Sequence, residues 1–353
     1  MTRVHASEAD RTPRISEPAG FSPCWSAAPR LLTLVAVALV LQGCASFRNP
    51  QKILSELGPR ETLPLVWQIS GGSGASLYVL GSIHLGPAGG WQYPTGVMDA
   101  LRDSSALVVE VNVHEIDSGT IQHLIDHYGH MPPGHSLKRN VSPATWELLE
   151  HRLAHSSILL RTANRLRPWL LSNLLIMEAI RRQQYSPDQG TEEEFIRLAG
   201  ARSILPLESA AQQISFLGTL PRRVQELYLI DTLEHYDETG HFVNLYVNAW
   251  RAGDEKALDR LIFDSYRKDP SFKPFFDSII FERNRAMGRR LKVLLEADQH
   301  AGETVFVVLG VAHLVGDQSI GRRFAAEGYQ VRRVTRAEMR SPEVAGESIA
   351  VHP

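Results

Sequence analysis

Two histidines sit in matching surroundings at opposite ends of this chain. His84 lies in Leu80-Gly81-Ser82-Ile83-His84-Leu85, after the apolar run Leu77-Tyr78-Val79. His313 lies in Leu309-Gly310-Val311-Ala312-His313-Leu314, after Val305-Phe306-Val307-Val308. Both copies read LGxxHL. A short β-branched run bounded by glycine is read as an interior strand, and glycine lets the chain turn sharply where the strand ends. Each histidine is then presented just beyond a strand, where open α/β sheets bind ligands.

Two carboxylates follow the same logic. Glu110 sits in Ala106-Leu107-Val108-Val109-Glu110-Val111-Asn112, and Glu208 closes Ser203-Ile204-Leu205-Pro206-Leu207-Glu208. A charge inside an apolar strand is costly to bury unless it is paired or bound to a cation. The competing reading for Glu110 is a strand-end glutamate that reaches water, and for the histidines, core imidazoles bonded to backbone. If the four strands run parallel in one sheet, all four side chains converge on one edge. Two imidazoles with one or two carboxylates and no thiolate suit Mn, Fe, Co or Zn and leave coordination positions open. Water activated there could attack a carbonyl, with a spare glutamate as general base.

The elements that must position these groups can be read in outline. Leu65 to Ile69 and Leu77 to Ile83, separated by Gly71-Gly72-Ser73-Gly74, predict a hairpin. Residues 117 to 260 read as mostly helical, with Ser118 to Tyr128, Ser142 to His155 and Pro168 to Gln184 the clearest segments. Thr191 to Leu198 opens with three glutamates, which suits a helix N-terminus. Pro206 predicts an edge or distorted position for its strand. Pro221 to Tyr236, His241 to Ala252 and Asp254 to Phe263 continue as helices, and Phe275 to Ala297 is the longest helical candidate. A strand from Thr304, a helix near Gly316 to Glu327 and a strand from Gln330 to Val334 close the pattern. The predicted fold is α/β, with a central mixed sheet built from N- and C-terminal strands and a large helical insertion between them.

Composition narrows the partners. Across 353 residues, 37 Lys and Arg against 39 Asp and Glu give a net charge of -2, so no overall field favours nucleic acid. Both cysteines, Cys24 and Cys44, precede residue 45. Leu31 to Leu41 is apolar apart from Thr33, too short to span a membrane, which needs about 20 residues, but within the roughly 7 to 15 of a signal-peptide core. Leu41-Gln42-Gly43-Cys44 resembles the lipobox of bacterial lipoproteins, which implies a lipidated Cys44 and a membrane anchor. A plain secretory signal is the competing reading. The expected organisation is a signal peptide over 1–44, a linker over 45–64, one α/β domain over 65–336 and a disordered tail over 337–353. By analogy with lipoprotein sorting, Ala45 after Cys44 points to the outer rather than the inner membrane of a bacterial cell envelope. Without a cysteine after residue 44, the domain has no disulfide or thiolate metal site to draw on.

Other motifs fail chemically. His123 and His127, and His151 and His155, are spaced i, i+4, but neither pair carries the glutamate of HExxH. These, with His114, His130 and His135, read as solvated helix or loop residues. There is no GxSxG elbow and no P-loop.

The strand ending in GxxH, then VVEVN, a glycine-led acidic helix followed by LPLE, an ERN triplet at Glu282-Arg283-Asn284 and a final GxxHLVG together resemble the TraB/PrgY/GumN family, from about Val66 to Val334. That family is related to the Tiki proteases, metal-dependent peptidases that use paired GxxH histidines and a glutamate. The resemblance implies His84, His313 and Glu110 as core site residues, with Glu110 as ligand or base. Glu208, Arg283 and Asn284 are implied as supporting residues, Arg283 as a stabiliser of developing negative charge on substrate. Relatives often show Gly-Ile-Asp before the acidic helix, whereas Gly190 here precedes Thr191-Glu192, so an aspartate role would have to fall to Glu192. The expected function is an envelope-anchored, metal-dependent hydrolase acting on peptide bonds of a peptide or protein substrate. The alternatives are a non-catalytic lipoprotein holding a metal, haem or peptide in the same cleft, and a metal-free esterase-like hydrolase whose activity survives chelation.

Overall fold

A computed structural model describes residues 51–71, 74–112, 114, 116–297 and 301–340. The candidate signal segment, with Cys44, lies outside these residues. Among the described residues eight strands form, β1 (Val66–Ser70), β2 (Ser76–Ser82), β3 (Gly86–Pro87), β4 (Ala106–Val109), β5 (Tyr185–Ser186), β6 (Ser203–Pro206), β7 (Thr304–Gly310) and β8 (Gln330–Arg333). Six of them make one mixed sheet in the order β6-β4-β7-β2-β1-β8, and β3 pairs with β5 apart from it.

The four strands that lead into the candidate residues are mutually parallel: β2 pairs with β7, β7 with β4, and β4 with β6. Their carboxyl ends therefore face one edge. Strands β2, β4 and β7 are buried almost throughout, which is why they read as continuous apolar runs rather than alternating ones. The predicted hairpin is present as β1 antiparallel to β2, and β8 closes the far side against β1. β6 takes the edge, where Pro206 removes no interior ladder bond.

Both sheet faces are covered. One packs Leu77, Val79, Val305 and Val307 against Met287, Leu291 and Leu295 of the helix Glu282–Glu296 and Phe324 of the helix Ile320–Ala326. The other packs Tyr78, Leu80, Phe306 and Val308 against Val97 and Leu101 of the helix Thr95–Arg102 and Phe195 of the helix Thr191–Leu198. The third and largest apolar cluster belongs to the helical insertion, and it takes in Ile83, Leu85, Val111, Val311 and Ala312 from the loops after the strands. The insertion thus sits on the carboxyl edge of the sheet. Trp250 fixes this contact, its indole N–H donating to the Gly81 carbonyl at 2.8 Å.

Three boundaries differ from the sequence reading. The stretch 45–64, expected as a tether, joins the fold at its end: Gln51–Leu54 is helical, Glu61 bridges to Gln92, and Leu63 is buried beneath the Arg251 carbonyl, to which its N–H donates. Residues 337–340, expected as tail, belong to the helix Arg336–Arg340, which buries Met339 against the sheet; residues 341–353 lie outside the described residues. The long helix expected over Phe275 to Ala297 is divided into Lys273–Phe276, a π-helical turn Asp277–Phe281, and Glu282–Glu296. Such turns add a residue to the helical register and are frequent at functional sites. This one immediately precedes Arg283 and Asn284.

One helix terminus predicts a pH effect. His235 caps the helix Arg222–Glu234, with Nδ1 2.9 Å from the Asp231 carbonyl and 3.4 Å from its carboxylate. Hydrogen bonding to Asp231, against some loss of hydration, raises the imidazole to about 9. A raised folded value stabilises the protein below the unfolded value of about 6.5 and ceases to do so as pH rises through about 9. The urea midpoint of His235→Gln should therefore trail that of the native chain at pH 6 and converge on it by pH 10. A gap independent of pH would exclude a charged His235.

Candidate functional site

The carboxyl edge gathers the residues singled out in the sequence. His84 follows β2, Glu110 follows β4, Glu208 follows β6 and His313 follows β7. Arg283 and Asn284 arrive from the first turn of the helix Glu282–Glu296. All six are buried, with Glu110 at 1%, His313 at 0% and Arg283 at 2% exposure. The solvated alternative for Glu110 is thereby excluded.

Burying carboxylates here is made possible by Arg283. Its Nη2 lies 2.6 Å from Glu110 Oε2 and 2.7 Å from Glu208 Oε2, its Nε donates to both Glu208 oxygens at 3.1 and 3.0 Å, and Nη1 donates to the Ile279 carbonyl. The guanidinium fork bridges two carboxylates in a way an ammonium could not. Gln213 adds Nε2 contacts at 3.4 Å to Glu110 and 3.2 Å to Glu208. The other Glu110 oxygen, Oε1, accepts the Gly310 N–H at 2.6 Å. Burial would raise the Glu110 carboxyl, but Arg283, the imidazoles and the Gly310 amide outweigh it and hold it down to about 2. Glu110 is therefore an anion at neutral pH.

The histidines are in the opposite condition. Burial drives His313 down to about 3 against the pull of Glu110, and burial likewise lowers His84. Both are neutral imidazoles. Asn284 Nδ2 donates to the Gln318 carbonyl at 2.8 Å, which turns Oδ1 toward His313 Nδ1 at 2.6 Å. An amide oxygen can only accept, so Nδ1 of His313 carries the proton and Nε2 presents its lone pair. That Nε2 atom is buried without a hydrogen-bond partner, and so is Nε2 of His84. Unpartnered buried polar atoms are rare in folded proteins. Two in one cluster contradict the reading of these histidines as core residues bonded to backbone.

Gly310 explains where the two lone pairs lead. A Cβ built there would stand 3.0 Å from Glu110 Oε1, 3.2 Å from His84 Nε2 and 3.5 Å from His313 Cδ2. The missing side chain leaves a cradle rimmed by three potential donors, with Glu110 Oε1 3.6 Å from His313 Nε2. Among the described residues no three His, Cys, Asp or Glu side chains form a ready-made metal set. The chemistry of the cluster nonetheless fits a cation, since it holds two carboxylates against one guanidinium and offers two neutral imidazoles with free lone pairs.

Three further participants enter the site. Gly310 was read only as the glycine of a sharp turn, and Gln213 carried no signal beyond its type. Glu192 did, as the acidic residue after Gly190-Thr191, and it enters the site: Oε1 accepts the Glu110 N–H at 2.7 Å and Oε2 lies 3.8 Å from His84 Nδ1. Burial and the Glu110 charge raise its carboxyl well above the usual range. It is held there by an interlock of loops, in which Thr191 N–H donates to the Ile83 carbonyl at 2.9 Å and Gly190 packs against the His84 backbone. Outside the cluster, His123, His127, His135, His151 and His155 are exposed. His114 and His130 pair with Glu193 and Asp126 at 3.1 Å each.

Fold and site define an α/β protein whose parallel strands deliver two neutral histidines and an arginine-bridged carboxylate pair to an edge closed by a helical insertion. The chain belongs to the TraB/PrgY/gumN family, whose sequence model matches residues 65–333. It is similar to a protein of Escherichia coli (strain K12) named "Uncharacterized protein YbaP", with 21% identity over 245 residues, 69% of this chain and 85% of the relative. A Shigella flexneri protein of the same name matches with the same figures. No solved structure matches significantly.

Proposed function

We propose that the chain is a metal-dependent hydrolase of peptide-type substrates, with His84, His313 and Glu110 as the ligand set. The observation that carries this reading is the pair of buried, unpartnered Nε2 atoms beside the Gly310 cradle. A bound divalent ion, Mn, Co, Fe or Zn, would supply a polarising charge and an activated water. His84 and His313 would hold it through Nε2, and Glu110 through Oε1. Asn284 keeps His313 in the tautomer that ligation needs.

The proton-transferring role falls to Glu192 rather than Glu110, since burial and the Glu110 charge raise its carboxyl so that it holds a proton it can deliver and take back. Both Glu110 oxygens are engaged, by Gly310, Arg283 and Gln213, whereas Glu192 Oε2 faces His84 on the more open side of the cluster, with 15% of its side chain exposed. Arg283 acts as a positioning residue, since its Nε, Nη1 and Nη2 donors are directed at Glu208, Ile279 and Glu110. Charge stabilisation on substrate, expected of it from the resemblance, is thus better assigned to the ion itself.

Full-length protein in detergent should retain about one divalent ion per chain and cleave an unstructured peptide mixture, and His84→Ala and His313→Ala should lose both properties. Absence of bound metal, with cleavage unchanged in both variants, would refute the proposal, and activity that survives chelation would favour the metal-free esterase-like reading. A non-catalytic envelope protein holding a metal, haem or peptide is favoured by one fact, the near-complete burial of the cluster. It predicts stoichiometric ligand retention without turnover. Attachment of this activity to the outer membrane through Cys44 is part of the same proposal and is tested by labelling cells with a radioactive fatty acid, which should not mark Cys44→Ala.

A further inference from the structure

The outer side of the helix Glu282–Glu296 carries a second polar feature, on the face turned away from the buried cluster. Arg285, Arg289 and Lys292 recur at helical spacing around Gly288, and with Arg323 and Glu327 from the neighbouring helix and its end they line a cavity of about 250 Å3. Four cationic side chains thus meet one carboxylate. That carboxylate is already engaged, with Glu327 Oε2 3.1 Å from Lys292 Nζ, and Arg285 lies 3.8 Å from Glu282 at a solvated position. Arg289 and Arg323 make no side-chain hydrogen bond or ion pair among the described residues. Two unpaired guanidinium groups on one concave surface repel each other, an arrangement that an anion relieves.

Gly288 makes the cavity more than a chance cluster of charges. A glycine within a helix lowers its stability relative to alanine, and such a residue is usually explained by positive φ or close packing. Neither applies here, because Gly288 has ordinary helical backbone and a Cβ at this position would meet nothing within 4 Å. What the missing side chain does provide is open space between the cationic groups.

We propose that this cavity binds a phosphate-type oxyanion, held by the guanidinium forks of Arg289 and Arg323 with Lys292 as an additional charge. Guanidinium groups match phosphate oxygens in a bidentate fashion, and one such ion would neutralise the local excess. The oxyanion can come from a soluble phosphate compound or from a lipid headgroup, and the chemistry of recognition is the same.

Two arms of one experiment separate these sources. Titration of the full-length protein in detergent with inorganic pyrophosphate, without divalent metal, reads the soluble source. Sedimentation with vesicles of phosphatidylglycerol against vesicles of phosphatidylcholine reads the lipid source as the excess binding to the anionic vesicles. Saturable binding in either arm is expected, weakened at least fivefold in Arg289→Ala and in Arg323→Ala, and unchanged in His84→Ala. Gly288→Gln should fill the cavity and weaken binding while melting no lower than the native chain, which separates a blocked site from a damaged fold. No saturable binding in either arm, or binding that Arg289→Ala and Arg323→Ala leave intact, would overturn the proposal.

Discussion

Arg283→Met should lose about 3–5 kcal/mol of stability, since removing one member of a buried ion-pair set leaves the other charges uncompensated. Two carboxylates depend on this single guanidinium, at 2.6 Å for Glu110 and 2.7 Å for Glu208, and the cluster is almost wholly sealed from water. The deficit should also depend on pH with a definite sign. Glu110 has a folded value of about 2, below its ordinary value of 4.5, so its contribution is present above about 4.5 and lost as pH falls toward 2. The gap in urea midpoint between the variant and the native chain should therefore narrow on acidification. Equal midpoints at pH 7 would mean that the carboxylates do not need Arg283. Arg283→Lys should recover only part of the loss, because one ammonium cannot reproduce the fork that spans both partners.

Gly310→Ala should weaken divalent-metal binding by about 10–100-fold, the range usual when the surroundings of a metal ligand are disturbed. The added methyl would occupy the cradle itself, 3.0 Å from Glu110 Oε1 and 3.2 Å from His84 Nε2, so these groups must move apart to admit it. Overpacking of this kind also lowers stability by about 1–3 kcal/mol. Competition against a chelating dye measures the first effect and a thermal melt the second. Metal affinity equal to that of the native chain would show that the donors do not meet at this point, even if His84→Ala and His313→Ala prove inactive. The two variants probe different things, since Arg283→Met attacks the charge balance and Gly310→Ala the space.

Much of the site was legible because strand ends leave a local signature. An apolar run followed by a glycine or a polar residue marks the carboxyl end of a buried parallel strand, and His84, Glu110, Glu208 and His313 all carry that mark. Once β2, β7, β4 and β6 are parallel, their convergence follows from topology. The edge place of β6, the hairpin of β1 and β2 and the helical insertion were readable for similar reasons, since Pro206, the Gly71 turn and the helix caps act locally.

Partners separated in sequence could not be read in this way. Glu192 reaches Glu110 across 82 residues and Arg283 reaches it across 173, and nothing in either segment states that distance. The same holds for the tautomer of His313 with Nε2 unprotonated, which depends on Asn284 and through it on the Gln318 carbonyl. Burial of the cluster arises from the way the insertion's core extends over the loops at Ile83, Val111 and Val311. Sequence was therefore sufficient for which residues stand at the strand ends, because glycine placement and apolar patterning are short-range. Charge state, free lone pairs and the cradle at Gly310 were settled by the folded structure alone, because desolvation and ion pairing depend on every element packed around the doubled LGxxHL.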